Sequence, residues 1–137
     1  MEKLYITSLQ NPQVKAWRTL KDAKARAEQG LFLAEGDHLT GEALTAHAAA
    51  ALLIAEQEQT RYQRHLDAAQ GQNLPVYVLS DRAMGAVCDA KTPQGVAALC
   101  RLPQLHQPLP ADKLKIAALD GVQDPGNVGT MLRTLDA

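Results

Sequence analysis

The chain is poor in cysteine and has no membrane-length apolar run. Cys88 and Cys100 are its two thiols, isolated and without C-x-x-C spacing, which favours free cysteines in a reducing cytoplasm. His38, His47, His65 and His106 are scattered, and no pair has metal-ligand spacing, so no metal is expected. No apolar run reaches about 18 residues, which excludes a membrane-spanning helix. No basic-then-apolar leader precedes Asn11, so no secretory signal is expected. Gly121, Gly126 and Gly129 do not make G-x-G-x-x-G, and no Gly-Lys-Ser/Thr follows. Neither the dinucleotide nor the P-loop fingerprint is met.

A strong charge of one sign is also missing. The net charge is −1, but it conceals an asymmetry. Residues 1–26 hold six basic against two acidic residues, and the remainder holds eight against thirteen. Overall charge therefore says little about nucleic acid, whereas the amino-terminal segment could touch it. The 137 residues, 46% hydrophobic and 21% charged, suit one compact domain of ordinary size.

What is there concentrates in the last eighteen residues, 119–136. Just before and into them, Ile116-Ala-Ala-Leu119 is an unbroken apolar run that suits a strand buried on both faces. Gly121, Pro125, Gly126 and Gly129 then force a loop. Val128, Met131, Leu132 and Leu135 fall at i, i+3, i+4 and i+7, one apolar helix stripe. Asn127 stands at the expected N-cap, able to accept the amide of Thr130. At about 100° per residue, Arg133 falls opposite that stripe, beside Gly129 and Thr130. Gly129 offers no side chain to block a ligand approaching the arginine. A guanidinium, free helix amides and an amide side chain together suit a phosphate.

Asp120-Gly-Val-Gln-Asp-Pro-Gly-Asn-Val-Gly-Thr-Met-Leu-Arg133 resembles the first motif of the SpoU (TrmH-type) RNA ribose 2′-O-methyltransferases. These belong to the SPOUT superfamily, whose catalytic domain carries a trefoil knot. In the family the arginine of this motif serves the reacting ribose hydroxyl, and the asparagine helps build the same pocket. The resemblance implies those catalytic roles for Arg133 and Asn127.

Earlier in the chain, Asn11 at the N-cap and Pro12 at the first helical position open a helix expected to run to about Glu28 and to end at Gly30. Val14, Trp17 and Leu20 face inward. Lys15, Arg18 and Arg26 share roughly one face of that helix, with Asp22 placed to bridge Arg18 and Arg26. A solvated salt-bridged face and a phosphate track both remain open, the interleaved acid favouring the first. Leu31–Ala34 reads as a strand, Thr40 to about His47 as a helix and Ala51–Ala55 as a buried strand, the alanine run hiding the boundary between them. Thr60–Gln70 reads as a polar helix closed by Gly71, Val76–Leu79 as a strand behind Pro75. Ser80 caps a short helix from Asp81 to about Cys88, and Val96–Cys100 is the last strand. Strands alternating with helices predict a mostly parallel sheet covered on both faces. Pro103, Pro108 and Pro110 crowd a linker.

The run Asn11-Pro12, Lys15, Arg26, Phe32-Leu-Ala-Glu-Gly36, with the later Thr92-Pro-Gln-Gly95 turn, resembles the substrate-binding domain that precedes many SpoU catalytic domains. That resemblance implies a three-layer α/β/α unit related to ribosomal proteins that bind kinked RNA. It makes Lys15, Arg18, Arg26 and Glu35 the candidate RNA-binding residues, although a strand-end turn explains Glu35-Gly36 equally well. The expected organisation is an RNA substrate-binding domain over 1–101, a linker over 102–113 and the start of a SPOUT domain over 114–137. The implied activity is methyl transfer from S-adenosylmethionine to a ribose 2′-OH. An amino-terminal domain resembles the ribosomal-RNA methylating members more than the compact transfer-RNA ones. Family members hold the methyl donor in later glycine-rich loops and dimerise through the knotted domain. Residues 114–137 contain neither, so this polypeptide is expected to be inactive alone, the amino-terminal part of a larger cytoplasmic enzyme. The alternative is a non-catalytic RNA-binding module.

Overall fold

The computed structural model describes residues 3–103 and 116–137. The chain divides into two units, Met1–Pro103 and Gln104–Ala137, and most of the expected linker lies outside the described residues. The elements of the first unit are β1 (Lys3–Ile6), α1 (Pro12–Arg18), a 3₁₀ turn (Thr19–Lys21), α2 (Ala23–Gln29), β2 (Leu31–Glu35), α3 (Asp37–Thr45), β3 (Ala49–Ala55), a 3₁₀ turn (Glu56–Glu58), α4 (Gln63–Gly71), β4 (Val76–Leu79), α5 (Asp81–Val87) and β5 (Val96–Arg101).

The strands form one sheet in the order β1-β4-β3-β5-β2. Each interior strand alternates its side chains between two cores. Leu53, Leu79, Ala97 and Leu99 meet Val14 and Trp17 of α1 and Met84 and Val87 of α5 on one face. Leu52, Ile54, Val76, Val78, Val96 and Ala98 meet Leu44 of α3 and Leu66 and Ala69 of α4 on the other. The unit is therefore a three-layer α/β/α sandwich. β3 shows why its alanine-rich start resists reading. Ala49 pairs with Cys100 and Ala51 with Leu99, so one residue is extra. That bulge flips the alternation, and Ala49 joins the core of Leu52 rather than that of Ala51.

Three expectations need correction in this unit. The sheet is mixed rather than mostly parallel: β1, β4 and β3 pair in parallel, but β5 runs antiparallel to both β3 and β2. The Glu35 carboxylate accepts the amides of Asp89 and Ala90 at 2.6 and 3.2 Å. This pins the segment before β5 at the carboxyl end of β2, so no crossover to the opposite end is made. Next, the first helix is broken. Asp22 is extended (φ −90°, ψ 133°) and caps α2 by accepting from the Lys24 amide; an aspartate that can bond its own downstream backbone competes with helix continuation. Lys15 and Arg18 thus share α1, while Arg26 belongs to a separate helix. Finally, α4 includes Gly71, and the left-handed residue that follows is Asn73 (φ 53°). β1 carries no strong periodic signal and emerges only through its pairing with β4.

Both thiols are buried. Burial, with the Glu35 carboxylate adding to it, pushes the Cys88 thiol up to about 12, and burial raises Cys100 as well. The thiolate is the reactive form. Near pH 8, native protein is expected to leave both thiols unmodified by an aromatic disulfide reagent over minutes, and denatured protein to release two equivalents at once. One fast-reacting thiol in the native state would contradict this packing.

In the second unit, Pro125–Asp136 forms α6. Its N-cap is Asp124, whose carboxylate accepts the amides of Gly126 and Asn127 at 2.6 and 3.3 Å. The expected N-cap at Asn127 is therefore wrong by one turn: aspartate followed by proline at the first helical position starts the helix sooner. The expected strand Ile116–Leu119 is irregular here, and Ile116 and Leu119 are exposed. A strand exists only where its backbone groups find a neighbour, and the described residues of this unit give it none.

Candidate functional site

The two stretches that carry the substrate-domain resemblance interlock at one end of the sheet. Gly36 donates its amide to the Val96 carbonyl, and Asp37 donates its amide to the Gln94 side-chain oxygen at 2.8 Å. Gly95 donates no side chain but gives its carbonyl to the Ala55 amide. Gly36 (φ 87°, ψ 169°) lies where only glycine is comfortable. Glu35 completes the lock through Asp89 and Ala90. Its two oxygens are thereby engaged, and in this structure it positions the loop rather than facing outward.

Beside the lock, Asp37 Oδ1 receives Arg64 Nη2 at 2.6 Å and His65 Nε2 at 2.7 Å. The Arg64 guanidinium, then His65, holds the Asp37 carboxyl below its usual range. His65 is buried, packed near-parallel to the Tyr62 ring with centroids 5.8 Å apart. Sequence reading missed this cluster, because its members are 28 residues apart and only the fold joins α3 to α4.

The basic residues fall into two groups. Lys15 and Arg18 are exposed, one turn apart on α1, with Val14 and Trp17 buried between their faces and the sheet. Arg26 is half-buried. One of its Nη atoms donates to the Leu20 and Lys21 carbonyls, both at 2.9 Å, which fixes the guanidinium against the 3₁₀ turn. Arg26 and Glu35 line a common groove of about 470 Å³, together with Lys21 and Asp89. Lys15 and Arg18 do not reach it. The expected bridges from Asp22 to Arg18 and Arg26 are not made among the described residues; the exposed ion pair here is Lys24 with Glu28, 3.9 Å apart. Lys21 was not singled out by sequence, although it belongs to the amino-terminal basic excess.

On α6, Arg133 Nη2 donates to Thr130 Oγ1 at 3.2 Å. A methyl group added at Gly129 would stand 3.5 Å from Arg133 Nη1, so the guanidinium lies over the bare glycine, on the face the heptad-like spacing predicted. Met131, Leu132 and Leu135 are exposed. Asn127 is an exposed residue in the first turn of α6, about 9 Å below Arg133 along the axis. Residues 116–124 and α6 are largely exposed and do not by themselves enclose a methyl donor.

A family model described as the MRM3-like substrate binding domain matches residues 11–98. The chain is 39% identical over 132 residues to the 23S rRNA (guanosine(2553)-2′-O)-methyltransferase RlmP of Bacillus subtilis, covering 96% of this chain and 50% of that protein. A crystal structure of an RNA 2′-O ribose methyltransferase superposes with a TM-score of 0.70 at 29% identity, over 97% of this chain and 52% of that one. An AdoMet-bound rRNA methyltransferase from Sinorhizobium meliloti shares the fold, with a TM-score of 0.62 at 24% identity over 74% of this chain and 37% of that one. The chain spans about half the length of the curated relatives it matches. On the match over residues 11–98, which takes in both interlocked motifs, the chain belongs to the family of the MRM3-like substrate binding domain.

Proposed function

We propose that the chain is the RNA-holding part, with the first catalytic helix, of an enzyme that methylates a ribose 2′-OH of ribosomal RNA. The observation that carries this reading is Arg133, held by Thr130 above a glycine on an exposed helix face. The 39% identity to RlmP over nearly the whole chain supports it. S-adenosylmethionine, when bound, supplies an electrophilic methyl carbon; the residues present here do not enclose it, and they serve the ribose side. A guanidinium is a fixed, planar cation with five N–H donors and no acceptor. Arg133 therefore acts as a donor that orients the ribose and its phosphate and stabilises the charge developing on the attacking oxygen. Asn127 adds an amide side chain in the first turn of the same helix. The exposed apolar side of α6 packs against a continuation of the chain, through which the whole protein dimerises. The buried free thiols suit the cytoplasm.

The test is to map 2′-O-methyl groups on ribosomal RNA incubated with donor and a protein that continues past Ala137 as its relatives do. A new donor-dependent ribose methyl supports the reading. Methylation on a base, or none with RNA bound and donor present, overturns it. A second reading, a non-catalytic RNA-binding module, is favoured by the self-contained two-sided core of the first unit. RNA affinity of this chain without any methylation by the longer protein would select it.

A further inference from the structure

The groove that joins Arg26 to Glu35 lies beside β2, the strand at one end of the sheet order, which among the described residues pairs with β5 alone. At an edge, side chains of both strand faces can be reached. Phe32 and Leu33, successive residues that belong to opposite cores, both line the groove and are both half-buried. Leu20 adds to this apolar floor. Its cations are Lys21 and Arg26, whose guanidinium is already fixed by two carbonyls. The groove also has two acids, but Glu35 is engaged by two loop amides. Asp89 remains as an exposed acceptor.

We infer that this groove seats one unpaired nucleotide of the RNA, its phosphate on Lys21 and Arg26 and its base along Phe32 and Leu33. This rests on the RNA-holding reading above and goes further by naming the residues and the state of the RNA. An apolar floor beside paired cations suits a base face and a phosphate together. A duplex buries its base faces and would leave the apolar floor without a partner. A chain of carboxylates would also meet Asp89 and Glu35 in the same groove, which disfavours an acidic peptide. Asp89 can accept from a base amino group or a ribose hydroxyl. At about 470 Å³ the groove has the size of a small-ligand site, enough for one nucleotide and not for a helix.

The test uses the 137-residue chain and a fluorescent single-stranded RNA oligonucleotide, with the same RNA as a duplex for comparison, across a salt series. Single-stranded RNA is expected to bind more tightly than the duplex. Lys21→Glu is expected to weaken it about tenfold and to lower the salt slope by about one, and Lys21→Arg to restore both. Phe32→Leu keeps the core filled and is expected to weaken binding about fivefold with the salt slope unchanged. Lys24→Glu, on the outer side of α2 where Lys24 is 82% exposed, is expected to change affinity less than twofold. Melting curves confirm that each variant is folded, and Lys21→Glu decides alone if Phe32→Leu is not. RNA binding that ignores Lys21→Glu and Phe32→Leu but falls with Lys15→Glu and Arg18→Glu overturns the groove and leaves the RNA-holding reading standing. Equal binding of duplex and single strand also overturns the groove. No binding of any RNA by the wild-type chain removes the RNA-holding reading itself.

Discussion

Replacing Arg133 with alanine, in a protein that extends past Ala137 as its relatives do, should lower the methylation rate about 10²–10³-fold while leaving RNA affinity within about twofold. The expectation rests on three features of α6. The guanidinium is anchored through Thr130, lies over Gly129, and is on the side of the helix away from Met131 and Leu135. It is therefore presented to a ligand and not spent on packing. On the proposed function, its loss removes a donor where charge would develop on the ribose oxygen, and such donors act mainly in the transition state. Arg133→Lys keeps the charge but not the planar fork, and should recover only a small part of the rate. A large fall in RNA affinity with an unchanged rate would move Arg133 from the reaction to substrate binding. Gly129→Ala should have a smaller effect, since its methyl would make an ordinary contact with Nη1 at 3.5 Å.

Gly36→Ala should destabilise the first unit by about 2–4 kcal/mol, lowering its melting midpoint by about 10–20 °C. Two costs combine. The backbone at φ 87°, ψ 169° is a region essentially reserved for glycine. The new Cβ would also stand 2.9 Å from the Gln94 side-chain oxygen, the atom that accepts the Asp37 amide. Moving Gln94 aside would leave that amide at the start of α3 without its partner. Gly71→Ala is the useful contrast. Gly71 lies inside α4 with open space where a Cβ would go, so alanine there should raise stability by about 0.4–1 kcal/mol. Both can be read in one series of urea titrations. Equal midpoints for the two variants would show that the lock between Glu35–Asp37 and Gln94–Gly95 does not constrain the fold.

Gly36 and Gly95 mark how far local sequence reaches. Gly36 was noticed as part of a Glu-Gly pair, and Gly95 as part of a Thr-Pro-Gln-Gly turn. Their union follows from register: Glu35 pairs with Ala97 across the β2–β5 ladder, which brings residues nearly sixty positions apart into hydrogen-bond range. The roles of Glu35 and Asp22 changed for the same kind of reason. Sequence places Asp22 as a bridge to Arg18 and Arg26, and Glu35 as an RNA contact or part of a strand-end turn; each carries out a backbone task, helix capping and loop pinning respectively. Arg133 was legible because its environment is local: Gly129 and Thr130 are within one turn of it, and helical spacing alone places them together. Lys21 was passed over because what distinguishes it is the groove, which needs α2, β2 and α5 at once.

The sequence by itself determined most element positions, the inward side of the first helix at Val14, Trp17 and Leu20, the presentation of Arg133 and the family likeness. Those follow from periodicity, caps and motifs, whose physical range is a turn or two of chain. Only the tertiary structure decided that β5 runs against its neighbours, that β1 is a strand at all, that the first helix is two, and that Arg26 and Glu35 share a groove without Lys15 and Arg18. It also decided that Asp37, Arg64 and His65 meet. Each of these depends on which distant backbone or charged group satisfies a hydrogen-bonding partner, and that choice is made between segments, after local structure has formed.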